Sequence, residues 1–145
     1  MDGFDRKTAA RVWSRVQGRA PQPREELPGL LLQVHLENRL LQSLVRSSSG
    51  RKAELLHGLI RSGLEQEQIL QGIHRLRYGK IMEMPKPAQQ ESPAEAALRR
   101  CCLGLLRRHG QYEALAADEE FGAAFSALAA LCARDCLKIL QVWGE

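Results

Sequence analysis

Four polar side chains occupy positions that the hydrophobic pattern of the chain marks as inward-facing. They are Glu37, Gln66, Cys132 and Asp135. Each interrupts a series of apolar residues that recur at alternating spacings of four and three, which is typical of one face of an α-helix. Inside a helical bundle, such groups either ligate a metal ion or hydrogen-bond to one another.

Four predicted helices position these residues. The first begins near 23–27 and ends near Arg46, before a Ser-Ser-Ser-Gly run; the second covers about 52–78 and ends at Gly79. The third starts at the capping box Ser92–Glu95 and runs to about 117, and the fourth extends from about 119 to 143. The inward series are Leu30, Val34, Glu37, Leu41, Leu44; Leu56, Leu59, Gly63, Gln66, Leu70, Ile73; Leu98, Cys101 or Cys102, Leu105, Tyr112, Leu115; and Phe121, Phe125, Leu128, Cys132, Asp135, Ile139, Val142.

Composition predicts a single all-α domain covering residues 1–145. The hydrophobic fraction is 44%, only 5% of residues are aromatic, and helix-forming Leu, Ala, Arg, Glu and Gln are abundant. Residues 1–22 are predicted to form an N-terminal strap with a short helix that carries Trp13, and the proline-containing segment 80–92 is predicted to be a long crossover linker.

Charge and hydropathy favour a cytoplasmic protein without a nucleic-acid or membrane partner. The net charge of +4 comes from basic residues scattered among acidic ones, without a recognised nucleic-acid motif. Residues 1–10 lack the apolar core of a signal peptide, and no apolar run approaches the roughly 18 residues that span a bilayer.

Distances from the predicted turns place the polar positions at matching heights. Glu37 lies 12 residues before Ser49 and Gly63 lies 14 after it; Leu105 lies 13 residues before Asp118 and Cys132 lies 14 after it. Each antiparallel hairpin therefore offers one single position and one pair spaced i, i+3. Gly63 itself suggests the close approach of a neighbour, because glycine destabilises a helix interior.

Seven short motifs of the chain bear on its class. They are Ala10-Arg11-Val12-Trp13-Ser14-Arg15-Val16, Leu70-Gln71-Gly72-Ile73, Tyr78-Gly79, Leu98-Arg99-Arg100-Cys101, Tyr112-Glu113-Ala114, Asp118-Glu119-Glu120-Phe121-Gly122 and Cys136-Leu137-Lys138-Ile139-Leu140. These motifs resemble those of small bacterial rubrerythrin-like proteins of the ferritin-like class. That class uses the same plan of one single position and one i, i+3 pair from each hairpin.

The resemblance implies a ferritin-like up-down four-helix bundle with one long crossover and a short N-terminal helix. It also implies that the di-iron ligands have been largely replaced, because the ligand positions fall on Glu37, Gly63, Gln66, Leu105, Cys132 and Asp135, and only the first keeps its residue type. The predicted function is a degenerate, non-enzymatic binding or scaffold module without a cofactor. The alternatives are a residual iron or zinc site on Glu37, Cys132 and Asp135, or a divergent di-iron oxidoreductase.

In the relic interpretation, the polar groups hydrogen-bond to one another or to a trapped water. Glu37 and Asp135 could then share a proton, because a buried carboxylate without a cation tends to stay neutral.

The four cysteines and an apolar outer face leave two further possibilities open. Cys101 and Cys136 are predicted to be level on neighbouring helices, with Cys102 and Cys132 nearby, so the thiols form a soft-metal or redox cluster or serve as small buried hydrophobes. A homo-oligomer could form through the extra leucines Leu31, Leu32, Leu36 and Leu40.

Overall fold

The computed structural model describes residues 23–86 and 93–145, and these contain four helices and no strand. The prediction of an all-α bundle is therefore confirmed for this part of the chain. The predicted N-terminal strap, residues 1–22, and residues 87–92 of the predicted linker lie outside the described residues. The helices are α1 (Pro23–Arg46), α2 (Gly50–Tyr78), α3 (Ala94–Leu115) and α4 (Gly122–Gly144).

The ends of the helices follow local signals. α2 ends where predicted, because Gly79 adopts the left-handed conformation at φ 77° and its N–H donates to the Arg75 carbonyl at 2.8 Å. α4 begins later than predicted. The Asp118 carboxylate accepts the backbone N–H groups of Glu120 and Phe121, which holds that segment as a turn before the helix starts.

Helices α1 and α3 are antiparallel neighbours although no hairpin joins them. Gln111 of α3 donates a hydrogen bond to Glu26 near the start of α1, and Cys101, earlier in α3, contacts the carbonyl of Glu37, later in α1. The hairpins α1–α2 and α3–α4 supply the other close packing, together with α2 against α4.

The link between α2 and α3 connects opposite ends of the bundle. Arg77, at the end of α2, forms an ion pair with Asp118 at 3.0 Å and stacks on the ring of Phe121, close to the end of α3. The start of α3 lies at the other end, because Cys101 in the early part of α3 contacts Glu37 in the later part of α1. Tyr78 and Ala94 therefore lie at opposite ends of the bundle.

The predicted inward series form the core with few exceptions. Every one of their members in α1 and α2 is buried, whereas Cys102 and Phe121 are only partly buried. The predicted outer face of α1 is half wrong: Leu31 and Leu40 belong to the core, while Leu32 and Leu36 are exposed. A search of the described helices found none with the length and apolar character that crossing a membrane requires.

A buried polar network as the candidate functional site

A buried ion pair joins α1 to α3 in the middle of the bundle. Arg108 Nη1 donates to Glu37 Oε1 at 2.6 Å, and the two residues are only 2% and 7% exposed. A charge-assisted bond of this length in a low-dielectric interior is strong, although burying both charges is costly. Arg108 thus supplies positive charge at the position where the sequence predicted polar groups of a decayed metal site.

Gln66 of α2 connects this ion pair to the fourth helix. Its Oε1 accepts hydrogen bonds from Arg108 Nε at 3.4 Å and from the Tyr112 hydroxyl at 3.0 Å. Its Nε2 donates to Asp135 Oδ2 at 2.9 Å, and the hydroxyl of Ser62 donates to the same oxygen at 2.7 Å. One continuous set of hydrogen bonds therefore joins all four helices.

Three of the four predicted site residues belong to this network, and the fourth does not. Glu37, Gln66 and Asp135 are linked as described, whereas Cys132 donates from Sγ to the backbone carbonyl of Leu105 at 3.2 Å. The prediction that Glu37 and Asp135 share a proton is wrong, because Arg108 and Gln66 lie between the two carboxylates.

Arg108 is the member of the network that the sequence interpretation missed. It stands in the polar stretch Arg107-Arg108-His109, which suggests a solvated surface. Its spacing carried the signal, because Cys101, Leu105, Arg108 and Tyr112 alternate at four, three and four residues and all four are buried.

Two glycines make room for polar side chains of α1. A Cβ atom on Gly104 of α3 would overlap the carboxylate of Glu37, and one on Gly63 of α2 would overlap the amide of Asn38. The close approach that Gly63 suggested is thus present. Gly104 does the same for Glu37, and it lets the carboxylate lie directly on the backbone of α3.

The electrostatics of the network follow from its burial. Burial raises the pKa of Glu37, and the charge of Arg108 opposes that rise. Burial also works to lower the pKa of Arg108, but Glu37, Tyr112 and Cys132 together raise it. Burial also raises the pKa of Asp135 to about 6, against the effects of the Ser62 hydrogen bond and of Lys138. Because burial raises the pKa of Tyr112 as well, its hydroxyl remains a neutral donor.

All four cysteines are free thiols. Cys101 faces the Glu37 carbonyl on α1, with its sulfur 3.9 Å from that oxygen, so it does not face Cys136. Of the adjacent residues Cys101 and Cys102, Cys102 is the one whose charge contributes to raising the pKa of Cys136. Cys136 also hydrogen-bonds to Cys132. Burial raises the pKa of Cys101 and of Cys132 to about 12, which keeps both protonated and inert.

The donor set of the network does not fit a ferritin-like di-iron centre. Such centres need several carboxylates together with imidazoles. Here the Glu37 carboxylate is paired with Arg108, and Gln66 carries an amide in place of a carboxylate or an imidazole. A search of residues 23–86 and 93–145 found no group of three or more His, Cys, Asp or Glu side chains placed to hold a metal ion.

Comparison of the chain with protein-family models, with curated proteins and with solved structures gave no match. The contacts, burial and charges of its own residues therefore bear on the function of this chain. The most informative of these are the network around Arg108 and the surfaces next to it.

Proposed function

We propose that the chain is a non-enzymatic binding or scaffold module built on a degenerate ferritin-like plan. The observation that carries the proposal is the Glu37–Arg108 ion pair, in which a side-chain cation stands between helices where a ferritin-like centre would have metal ions. The crossover between α2 and α3 is a second point in favour of that plan.

The side chains of the network hydrogen-bond to one another, which supports a structural role for it. Gln66 engages both its oxygen and its nitrogen, and Asp135 accepts two hydrogen bonds on one oxygen. A general acid or base must reach the proton it transfers on a substrate, whereas Asp135 is 3% exposed and accepts from Ser62 and Gln66, and the Glu37 carboxylate is paired with Arg108. Satisfied buried networks of this kind rigidify a core and select one packing arrangement.

Metal analysis tests the proposal. Protein purified without a chelator is expected to contain only substoichiometric iron, manganese and zinc, and its unfolding temperature is expected to be unchanged by EDTA, because a guanidinium needs no metal to neutralise Glu37. Stoichiometric metal that disappears in Glu37→Ala or Cys132→Ala would instead support the alternatives, a residual iron or zinc site or a divergent di-iron oxidoreductase.

Self-association is a second candidate role because α4 leaves large apolar side chains in water. Leu137, Leu140 and Trp143 recur at intervals of three and are 66%, 59% and 42% exposed. A patch of this kind marks an interaction surface more often than a single exposed leucine does. Light scattering tests it: a homo-oligomer that dissociates in Leu137→Gln/Leu140→Gln supports the idea, and a monomer at millimolar concentration removes it.

A further inference from the structure

A groove lies between α1 and α3, on the outer side of the Glu37–Arg108 pair. It encloses about 400 Å³, within the roughly 300–1,000 Å³ typical of small-molecule pockets. One stripe of α3, from Ala96 to Arg107, forms one wall over about 16 Å at 1.5 Å per residue. α1 forms the other wall with Gln33, Leu36 and Glu37.

The groove is strongly basic. Arg99, Arg100 and Arg107 line it and are exposed, and within the described ranges none of them lies within ion-pair distance of a carboxylate. Glu37 lies at the floor, but its charge is already matched by Arg108 behind it. Three guanidinium groups therefore line this groove without an acidic partner among the described residues, and such groups bind carboxylates and phosphates in a planar, two-point geometry.

Arg100 and Arg107 are the two guanidinium groups best placed to act together. They are seven residues apart on α3, which puts them on one face, and Gly104 lies between them. The charges of both act on the Glu37 carboxylate that rests on Gly104. The two side chains therefore flank the floor of the groove.

The same groove also offers apolar contact. Leu36 and Leu103 line it and are 39% and 55% exposed. A ligand that covers them removes apolar surface from water, which favours binding.

We propose that this groove binds an organic anion with an apolar body, whose carboxylate or phosphate pairs with Arg100 and Arg107 while its apolar part covers Leu36 and Leu103. The inference rests on the binding role proposed above and names the chemical class of the ligand. Neither the charges nor the leucines alone define that class; their adjacency in one groove calls for both properties in one molecule.

The test is a titration of the full chain with decanoate, followed by ¹H–¹⁵N spectra. Decanoate is expected to shift the amides of Leu103 and Gly104 saturably, and inorganic phosphate is expected to bind more weakly because it covers no leucine. Decylammonium, which has the same chain length and the opposite charge, is expected to leave these amides unshifted. Equal binding of decylammonium and decanoate, or no saturable shift with decanoate, would overturn the proposal.

Variants at exposed positions test the charged contacts and the apolar contact of the ligand separately. Arg100→Ser/Arg107→Ser is expected to weaken decanoate binding about tenfold or more, the loss expected for charge-assisted bonds. The matched control Arg61→Ser/Arg75→Ser removes the same charge from exposed positions of α2 and should retain the wild-type affinity. Leu103→Gln should weaken decanoate but leave phosphate unchanged. An equal loss in both double variants would contradict a specific site.

Other outcomes are distinguishable. A dimer that dissociates in Leu103→Gln, together with an absence of decanoate shifts, would assign the groove to a second copy of the chain and overturn the ligand proposal. Stoichiometric metal lost in Glu37→Ala would contradict the metal-free role of the network, whereas decanoate shifts at Leu103 would still support the groove as an anion site.

Discussion

Arg108 Nη1 lies 2.6 Å from Glu37 Oε1, although 71 residues separate the two in the chain. The bond joins the two hairpins at a point where no loop holds them together. Removing one partner leaves an uncompensated buried charge, so Arg108→Met or Glu37→Leu alone is expected to lower the free energy of unfolding by about 3–5 kcal/mol. Chemical denaturation monitored by circular dichroism measures the loss.

The double variant Glu37→Leu/Arg108→Met is expected to recover most of that stability, because replacing a whole buried ion pair by apolar groups is often neutral or stabilising. Arg107→Met is the matched control, since the neighbouring Arg107 is exposed and its removal should change stability by less than about 0.5 kcal/mol. Strictly additive losses in the double variant would show that the two side chains do not act as a pair.

A substitution at Gly104 tests the ion pair in a second way, and Gly110 on the same helix serves as the control. Gly104→Ala should destabilise the protein by about 1–3 kcal/mol, because its Cβ would overlap the carboxylate of Glu37 and force the ion pair apart. Gly110→Ala should stabilise it by up to about 1 kcal/mol, since an added Cβ would meet no side chain or neighbouring helix of the described residues within 4 Å, and alanine is the better helix former. Thermal unfolding of the two variants checks the opposite signs.

The sequence predicted the helices and their inward faces because those depend on local spacing. The alternation of four and three placed Gln66 and Asp135 correctly in the interior, and equal distances from a turn placed Cys132 level with Leu105. Contacts within a hairpin follow from counting residues along two joined helices.

The partners across the two hairpins were harder to predict. No turn fixes the register of α1 against α3, so neither the pairing of Glu37 with Arg108 nor the groove beside it followed from residue counting. Arg108 looked like a surface residue because it stands in the polar stretch Arg107-Arg108-His109, although its spacing from Leu105 and Tyr112 matches the inward series. The role of Gly104 was not predictable from residue counting either, because it depends on a side chain of another helix.

The thiols should differ in reactivity according to burial. Cys101 and Cys132 are buried with pKa values raised to about 12, whereas Cys102 and Cys136 are partly exposed. Ellman's reagent is expected to label two of the four thiols rapidly in the native protein and all four after unfolding. Cys102→Ser should remove one of the rapid equivalents and Cys101→Ser none; rapid labelling of all four native thiols would contradict this burial.

The raised pKa of Asp135 predicts that the stability of the fold depends on pH. Burial raises its pKa from 3.8 to about 6, so between these values the folded state binds more protons than the unfolded state. The contribution of Asp135 to stability therefore falls as the pH rises from about 4 to about 6, with the full loss present above that range. The rise of about two units corresponds to a loss of at most about 3 kcal/mol at neutral pH.

Asp135→Asn is expected to remove this dependence, because an amide oxygen can accept the hydrogen bonds of Gln66 and Ser62 without carrying a charge. The variant should be more stable than wild type at pH 7, by up to about 3 kcal/mol, and close to wild type at pH 4, where Asp135 is protonated. Urea unfolding at the two pH values measures the difference. Glu65→Gln, at an exposed site of α2, should follow the wild-type curve throughout. An Asp135→Asn variant that loses stability equally at both pH values would mean that the carboxylate contributes hydrogen bonds that the amide cannot replace, and that its charge carries no net cost in the fold.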